Sequence, residues 1–270
     1  MRPTYATSSP KLTDRDPLDD FERRELMLLG DTKRVYVAGR GPAVIVMAEM
    51  PGISALVARF ARKVRDAGFT VWMPVLFGTE GGPVTTPLAL ATIARACVSR
   101  EFKAFAANAS SPVTKWLRAL AAHAHPLSGG KGVGAIGMCF TGNFALSMML
   151  EPAMLAPVLS QPSLPMFQKG GMHIAPDELA RVKERLQRED LTVLAYRFEG
   201  DLLCRKQRFA DYQAALGDRF VGRVLPDASA LQGTPIPAHG VVTLHLVDRE
   251  GEPTRGAVDE ILGFFAQRLR

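Results

Sequence analysis

Short apolar runs alternate with amphipathic stretches along most of the chain. The runs at residues 43–48, 69–73, 133–136, 154–159, 191–198 and 220–225 are continuous rather than alternating. Over about four to eight residues that pattern predicts strands, those at 43–48 and 69–73 buried on both faces. Helical spacing occupies residues 54–67, 89–107, 111–123, 143–150, 176–190, 206–216 and 254–269. Ser54 is placed to cap the first of these helices and Gly68 to end it. Ser111 and Pro112 supply a cap and first-turn pair for the third. Residues 25–29 and 34–37 predict a hairpin around Gly30-Asp31, and residues 78–87 and 161–176 read as Gly- and Pro-containing loops, the second long enough to lie over a site. Strands alternating with helices predict an α/β chain with a doubly wound, mostly parallel sheet flanked by helices. Residues 1–20, polar and Pro-rich, predict a flexible tail, and residues 21–270 one domain. No internal repeat is present.

The junction after the run at 133–136 carries the chemistry. It reads Gly137-Met138-Cys139-Phe140-Thr141-Gly142, so that a strand, a tight turn and a helix place one cysteine at the apex. A nucleophile elbow has this build: the strained turn lifts the side chain clear of the sheet, and small neighbours let the backbones approach. The N-terminus of the helix favours an anion there, and hence a thiolate. A small buried cysteine after a core strand is the plainer alternative.

An elbow needs an acid and then a histidine downstream. Glu199-Gly200-Asp201 closes the run at 191–198, where a triad acid belongs, and Pro237-Ala238-His239-Gly240 presents a histidine on a loop. In that arrangement His239 takes the thiol proton, and Asp201 fixes the imidazole's tautomer and orientation. Glu199 is the rival acid and His245 the rival base. His245 lies in the apolar stretch 241–247, which reads as extended structure.

These residues resemble the dienelactone hydrolase family of cysteine α/β-hydrolases, whose elbow reads Gly-x-Cys-x-Gly-Gly. The stretch Ala48-Glu49-Met50-Pro51-Gly52-Ile53 is similar to the family's segment in which a buried glutamate precedes a Gly turn and the first long helix. Pro74-Val75-Leu76-Phe77-Gly78 is similar to its next strand end. The resemblance runs from about Phe21 to the C-terminus. It implies an α/β-hydrolase fold and no cofactor. It also implies that Glu49 contacts the thiol and helps to generate the thiolate when substrate binds. Two positions depart from the family: Thr141 stands at an elbow glycine, and Thr243 stands four residues past His239, where well-known members carry an arginine. Arg95 or Arg100 could fill the family's other arginine role. A salt-bridged structural acid is the simpler reading of Glu49, and a surface ion pair with Glu101 that of Arg100.

Composition narrows the classes. The chain has 270 residues, a net charge of +6 and three cysteines, Cys97, Cys139 and Cys204, with no CxxC pair. That excludes a zinc ribbon and a disulfide scaffold, and a reducing cytoplasm suits a thiol nucleophile. The basic residues are interleaved with acids, without a basic block or aromatic neighbours, so they predict solvated helix faces rather than a nucleic-acid surface. No apolar run reaches about 18 residues, so no membrane span is expected, and the polar N-terminal stretch lacks a signal-peptide core.

Gly132-Val133-Gly134-Ala135-Ile136-Gly137 matches GxGxxG, but the chain before it is a loop and the glycines fall within the strand, so a dinucleotide site is not favoured. His123 and His125 lack a third metal partner, and no metal is expected. His173, in a Gly-rich loop, is a candidate substrate contact. The expected activity is hydrolysis of a small-molecule carboxylic ester or lactone. Cys139 attacks, His239 acts as base then acid, and Asp201 orients it. The backbone N–H groups of Phe140 and Met50 form the oxyanion hole. A non-catalytic small-molecule-binding scaffold is the alternative, and a nucleotide-binding oxidoreductase a weaker one. The sequence does not fix the oligomeric state.

Overall fold

The structure, a computed structural model, describes residues 11–99, 101–102 and 108–270. Ten strands and seven α-helices are described. The strands are β1 (Glu22–Leu28), β2 (Asp31–Gly39), β3 (Ala43–Met47), β4 (Gly52–Ile53), β5 (Thr70–Pro74), β6 (Thr79–Glu80), β7 (Val133–Met138), β8 (Met154–Ser160), β9 (Val193–Phe198) and β10 (Phe220–Leu225). The helices are α1 (Ala55–Asp66), α2 (Thr86–Val98), α3 (Val113–Ser128), α4 (Phe144–Ser147), α5 (Pro176–Arg188), α6 (Lys206–Leu216) and α7 (Pro253–Leu269). Eight strands form one sheet in the order β1-β2-β5-β3-β7-β8-β9-β10. Only β1–β2 and β2–β5 pair antiparallel; from β5 to β10 every neighbour is parallel. The α/β-hydrolase-type, doubly wound mostly parallel sheet expected from the sequence is therefore the fold.

Five of the six apolar runs are interior strands covered on both faces, whereas β10 ends the sheet and leaves Gly222, Arg223 and Val224 exposed. Successive residues of β3 point into opposite layers. Val44 and Val46 join α1 and α7 residues such as Phe60 and Phe265, whereas Ile45 and Met47 join Leu117 and Leu120 of α3 and Val182 and Leu186 of α5. Each such buried side chain contributes about 1.5–3 kcal/mol. Close approach explains the glycines of the GxGxxG match. A Cβ at Gly134 would lie 2.8 Å from the Phe265 ring and one at Gly137 2.1 Å from the Thr141 carbonyl. They admit packing, not a phosphate.

Several boundaries differ from those read in the sequence. The hairpin turns at Leu29-Gly30, both at positive φ (55° and 81°), one residue earlier than expected; two positive φ values match the twist of the flanking strands. Helix α2 starts before Ala89, with Thr85 as its N-cap, and ends at Val98, where Ser99 turns extended; residues 103–107 of the expected helix lie outside the described residues. Helix α3 runs past His123 to Ser128 with Pro126 in its last turn. The expected helix at 143–150 is a single α-turn, Phe144–Ser147, flanked by 3-10 turns. The stretch 241–247 is a series of turns rather than a strand, because the Gly240 carbonyl accepts the N–H groups of Thr243 and His245. Of the expected tail, residues 11–20 pack on the domain. Leu18 is buried, and Asp16 accepts two hydrogen bonds from Arg62.

Not every basic residue solvates a helix face. Arg208 is fully buried and donates to the carbonyls of Leu164, Gly171, Pro165 and Gln168, gathering the loop after β8. Arg185 does the same for Met149, Glu151, Pro152 and Met154.

Candidate active site

The site lies at the carboxyl edge of the parallel strands, where open α/β sheets place their ligands. Strand β7 ends at Met138, and Cys139 follows with φ = +51°. A left-handed cysteine is strained, and such strain gathers at functional sites. The elbow closes only because both flanks are bare. A Cβ at Gly142 would sit 2.6 Å from Pro162, and Gly137 has no room for one either. Thr141, the departure from the family pattern, is fully buried. Its hydroxyl accepts the Met138 N–H at 2.9 Å and lies 3.0 Å from the Met47 carbonyl, so it bolts the elbow to the end of β3.

Asp201 and His239 are brought together. Asp201 Oδ2 stands 2.8 Å from His239 Nδ1, and Oδ1 accepts the N–H groups of Leu203 (2.8 Å) and Cys204 (2.9 Å). Burial alone would raise the Asp201 pKa, but the His239 ring and these amides outweigh it and hold it below the ordinary value. For His239, burial pulls the other way, and the neighbouring Cys139 and Asp201 raise the imidazole well above its usual range. His239 Nε2 is buried without a closed hydrogen bond, while the Cys139 thiol is near enough to act on the ring. The rival acid Glu199 is exposed and points its backbone into the sheet edge. The rival base His245 sits behind His239 as a support. Its Nδ1 accepts the N–H groups of His239 (3.2 Å) and Gly240 (3.1 Å).

Glu49 follows β3 and is half-buried at the same edge. Burial pushes its carboxyl above the ordinary value, against the opposing pull of the Thr243 hydroxyl, His239 and Gln161. Gln161 Nε2 donates to Glu49 Oε2 at 3.2 Å. Phe140 and Met50 follow adjacent strand ends, since β3 and β7 pair Met47 with Gly137. The Met50 amide meets no backbone acceptor among the described residues.

The remaining candidates fall elsewhere. His173 is fully buried, with Nε2 2.7 Å from the Ser111 hydroxyl and its ring beside Phe144; its imidazole is spent on the fold. Arg100 lies outside the described residues. Arg95 is exposed and lines a cavity of about 310 Å³ with Phe77, Leu88, Thr92 and Phe102. The Phe77 and Phe102 rings meet Phe140 edge-on at 5.6 and 5.3 Å, one aromatic layer from Cys139. Among the described residues no cluster of His, Cys, Asp and Glu could hold a metal, and no helix is long and apolar enough to cross a membrane. Sequence reasoning passed over Gln161 and the supporting role of His245. Gln161 could have been found as the first residue past a buried parallel strand.

Comparison with known proteins supports the architecture. No curated protein sequence matches the chain. Among solved structures, a Klebsiella pneumoniae subsp. pneumoniae MGH 78578 protein provisionally assigned as a dienelactone hydrolase superposes with a TM-score of 0.62 at 16% identity, covering 92% of this chain and 98% of its own. A dienelactone hydrolase-like promiscuous phosphotriesterase from metagenomic libraries gives 0.62 at 16% identity, over 93% and 100%. A dienelactone hydrolase from Anabaena variabilis ATCC 29413 gives 0.56 at 13% identity, over 93% and 100%. At these identities the likeness is one of fold. The sequence profile of the Dienelactone hydrolase family matches residues 29–161, from the hairpin through the elbow to the end of β8. That match spans just under half of the chain; over it the chain is similar to the dienelactone hydrolase family, and its fold is that of an α/β-hydrolase.

Proposed function

We propose that the protein hydrolyses carboxylic esters or lactones through a thioester acyl-enzyme on Cys139. The observation that carries this reading is one constellation: a left-handed cysteine on a strand-to-helix elbow, beside a buried imidazole that an aspartate holds at 2.8 Å. His239 removes the thiol proton as sulfur attacks the carbonyl carbon. The resulting oxyanion is received by the Phe140 and Met50 N–H groups. Collapse breaks the C–O bond, and His239 returns the proton to the leaving alcohol oxygen. Water then attacks the thioester carbonyl with His239 as base, releasing the acid and restoring the thiol. Asp201 keeps Nδ1 protonated, which leaves Nε2 free to accept. Glu49, next to His239, is positioned to act on the thiol–imidazole pair. The partner is a small molecule, and the chain's own residues suffice for every step. A lactone and aryl-ester screen of wild type, Cys139→Ala and His239→Ala tests the proposal. Hydrolysis lost in both variants supports it; hydrolysis that survives Cys139→Ala refutes it.

A further inference from the structure

Gln161 is where the elbow, Glu49 and the His239 loop meet. It directly follows β8, is fully buried, and holds φ at +37°. Its amide Nε2 donates to Glu49 Oε2 at 3.2 Å, and Oε1 accepts the Val241 N–H at 3.4 Å and the Ser160 hydroxyl. Its backbone N–H donates to the Tyr196 carbonyl at 2.7 Å. Its carbonyl accepts the Ser163 hydroxyl at 2.9 Å, and the Ser163 N–H donates to the Cys139 carbonyl at 2.9 Å. Two strained residues at adjacent strand ends, Cys139 and Gln161, are thus tied through one serine. The amide is needed as an amide, because it presents a donor to a carboxylate and an acceptor to a backbone N–H. Glutamate would set carboxylate against carboxylate, and methionine would leave both partners unpaired.

We infer that Gln161 is a positioning residue, whose amide fixes the Glu49 carboxylate and the Val241 end of the His239 loop relative to Cys139. The inference rests on the proposed thiol hydrolase. Glu49 is also faced by His239 and the Thr243 hydroxyl from the loop, and Arg59 of α1 reaches the Thr243 carbonyl. A glutamine that merely closes a strand end would leave the titration of the site unchanged when replaced.

The test uses Gln161→Glu and Gln161→Met, each shown folded by circular dichroism. Turnover of p-nitrophenyl acetate is measured beside the pH dependence of iodoacetamide labelling at the Cys139 peptide. Expected is a kcat loss of about tenfold or more in both variants with KM within about threefold. In Gln161→Glu the labelling midpoint rises by about half a pH unit or more, because a second carboxylate beside Glu49 disfavours the thiolate. Wild-type kcat and midpoint in folded variants overturn the inference, as does failure of both variants to fold, which would assign Gln161 to the core. Labelling needs no ester, so absent turnover in the wild type counts against the hydrolase reading, while the labelling midpoint still judges Gln161.

Discussion

The Thr141 hydroxyl lies 3.0 Å from the Met47 carbonyl and accepts the Met138 N–H at 2.9 Å, joining the elbow of β7 to the end of β3. The two strand ends it joins lead to Met50 and Phe140, the proposed oxyanion donors. Where the family pattern has a glycine, this chain has a hydroxyl bridge, and the backbone at position 141 tolerates the larger residue.

Thr141→Val keeps the shape and removes the hydroxyl. It strands a buried N–H and a buried carbonyl, so unfolding free energy falls by about 1–3 kcal/mol. Urea denaturation measures it. A variant as stable as wild type would show that the bridge contributes nothing net.

Asp201→Asn leaves a folded protein with turnover reduced by about 10⁴-fold, since the imidazole loses its tautomer control. Glu199→Gln stays near wild type, because Glu199 is exposed at the sheet edge. Steady-state kinetics on one aryl ester separate the two. Loss on Glu199→Gln with activity retained on Asp201→Asn would move the acid.

His239→Ala and His239→Gln abolish turnover, whereas His245→Gln keeps most of it and loses stability. His245 accepts two N–H groups at Nδ1, so only the neutral ring supports the loop, and burial lowers its pKa. Protonation therefore favours the unfolded chain. The stabilisation is present above the unfolded value of about 6.5 and is lost as pH falls through the folded value. His239, with a raised pKa, has the opposite sign in wild type and variant alike. Urea denaturation at neutral and mildly acidic pH should show a smaller acid-induced loss in His245→Gln than in wild type. Equal losses would contradict this role.

Much of this was legible in the sequence. Five of the six apolar runs became interior parallel strands because burial on both faces removes the need for alternation; the sixth, at 220–225, is the exposed edge strand. The elbow was legible because a tight strand-to-helix turn admits so few residues beside its apex. Thr141 could be seen as a departure, but not as a bridge, since its partner Met47 is distant in sequence. Residues 241–247 read as a strand because they are apolar. They turn because two N–H groups converge on Gly240, and that apolarity serves a loop packed over the core. Arg208 acts through backbone carbonyls of another segment, which leave no spacing signal, and the partners of Gln161, Glu49 and Val241, are distant in sequence. His173 looked available in a Gly-rich loop, but the loop folds its ring inward against Ser111.

Iodoacetamide at neutral pH should label Cys139 well ahead of Cys204. Cys204 is fully buried, and burial together with the nearby Asp201 charge raises its pKa far above the usual thiol value. Peptide mass spectrometry of partly labelled protein reads the order. Earlier labelling of Cys204 with activity preserved would remove Cys139 as nucleophile.

The most direct measurement is the mass of the enzyme caught during turnover. Wild-type protein mixed with a slowly deacylating aryl ester is quenched in acid and its peptides are mapped. One acyl group is expected, carried by the Cys139 peptide as a thioester and absent from Cys139→Ala. Turnover with no acyl adduct, or an adduct on another residue that persists in Cys139→Ala, would contradict it.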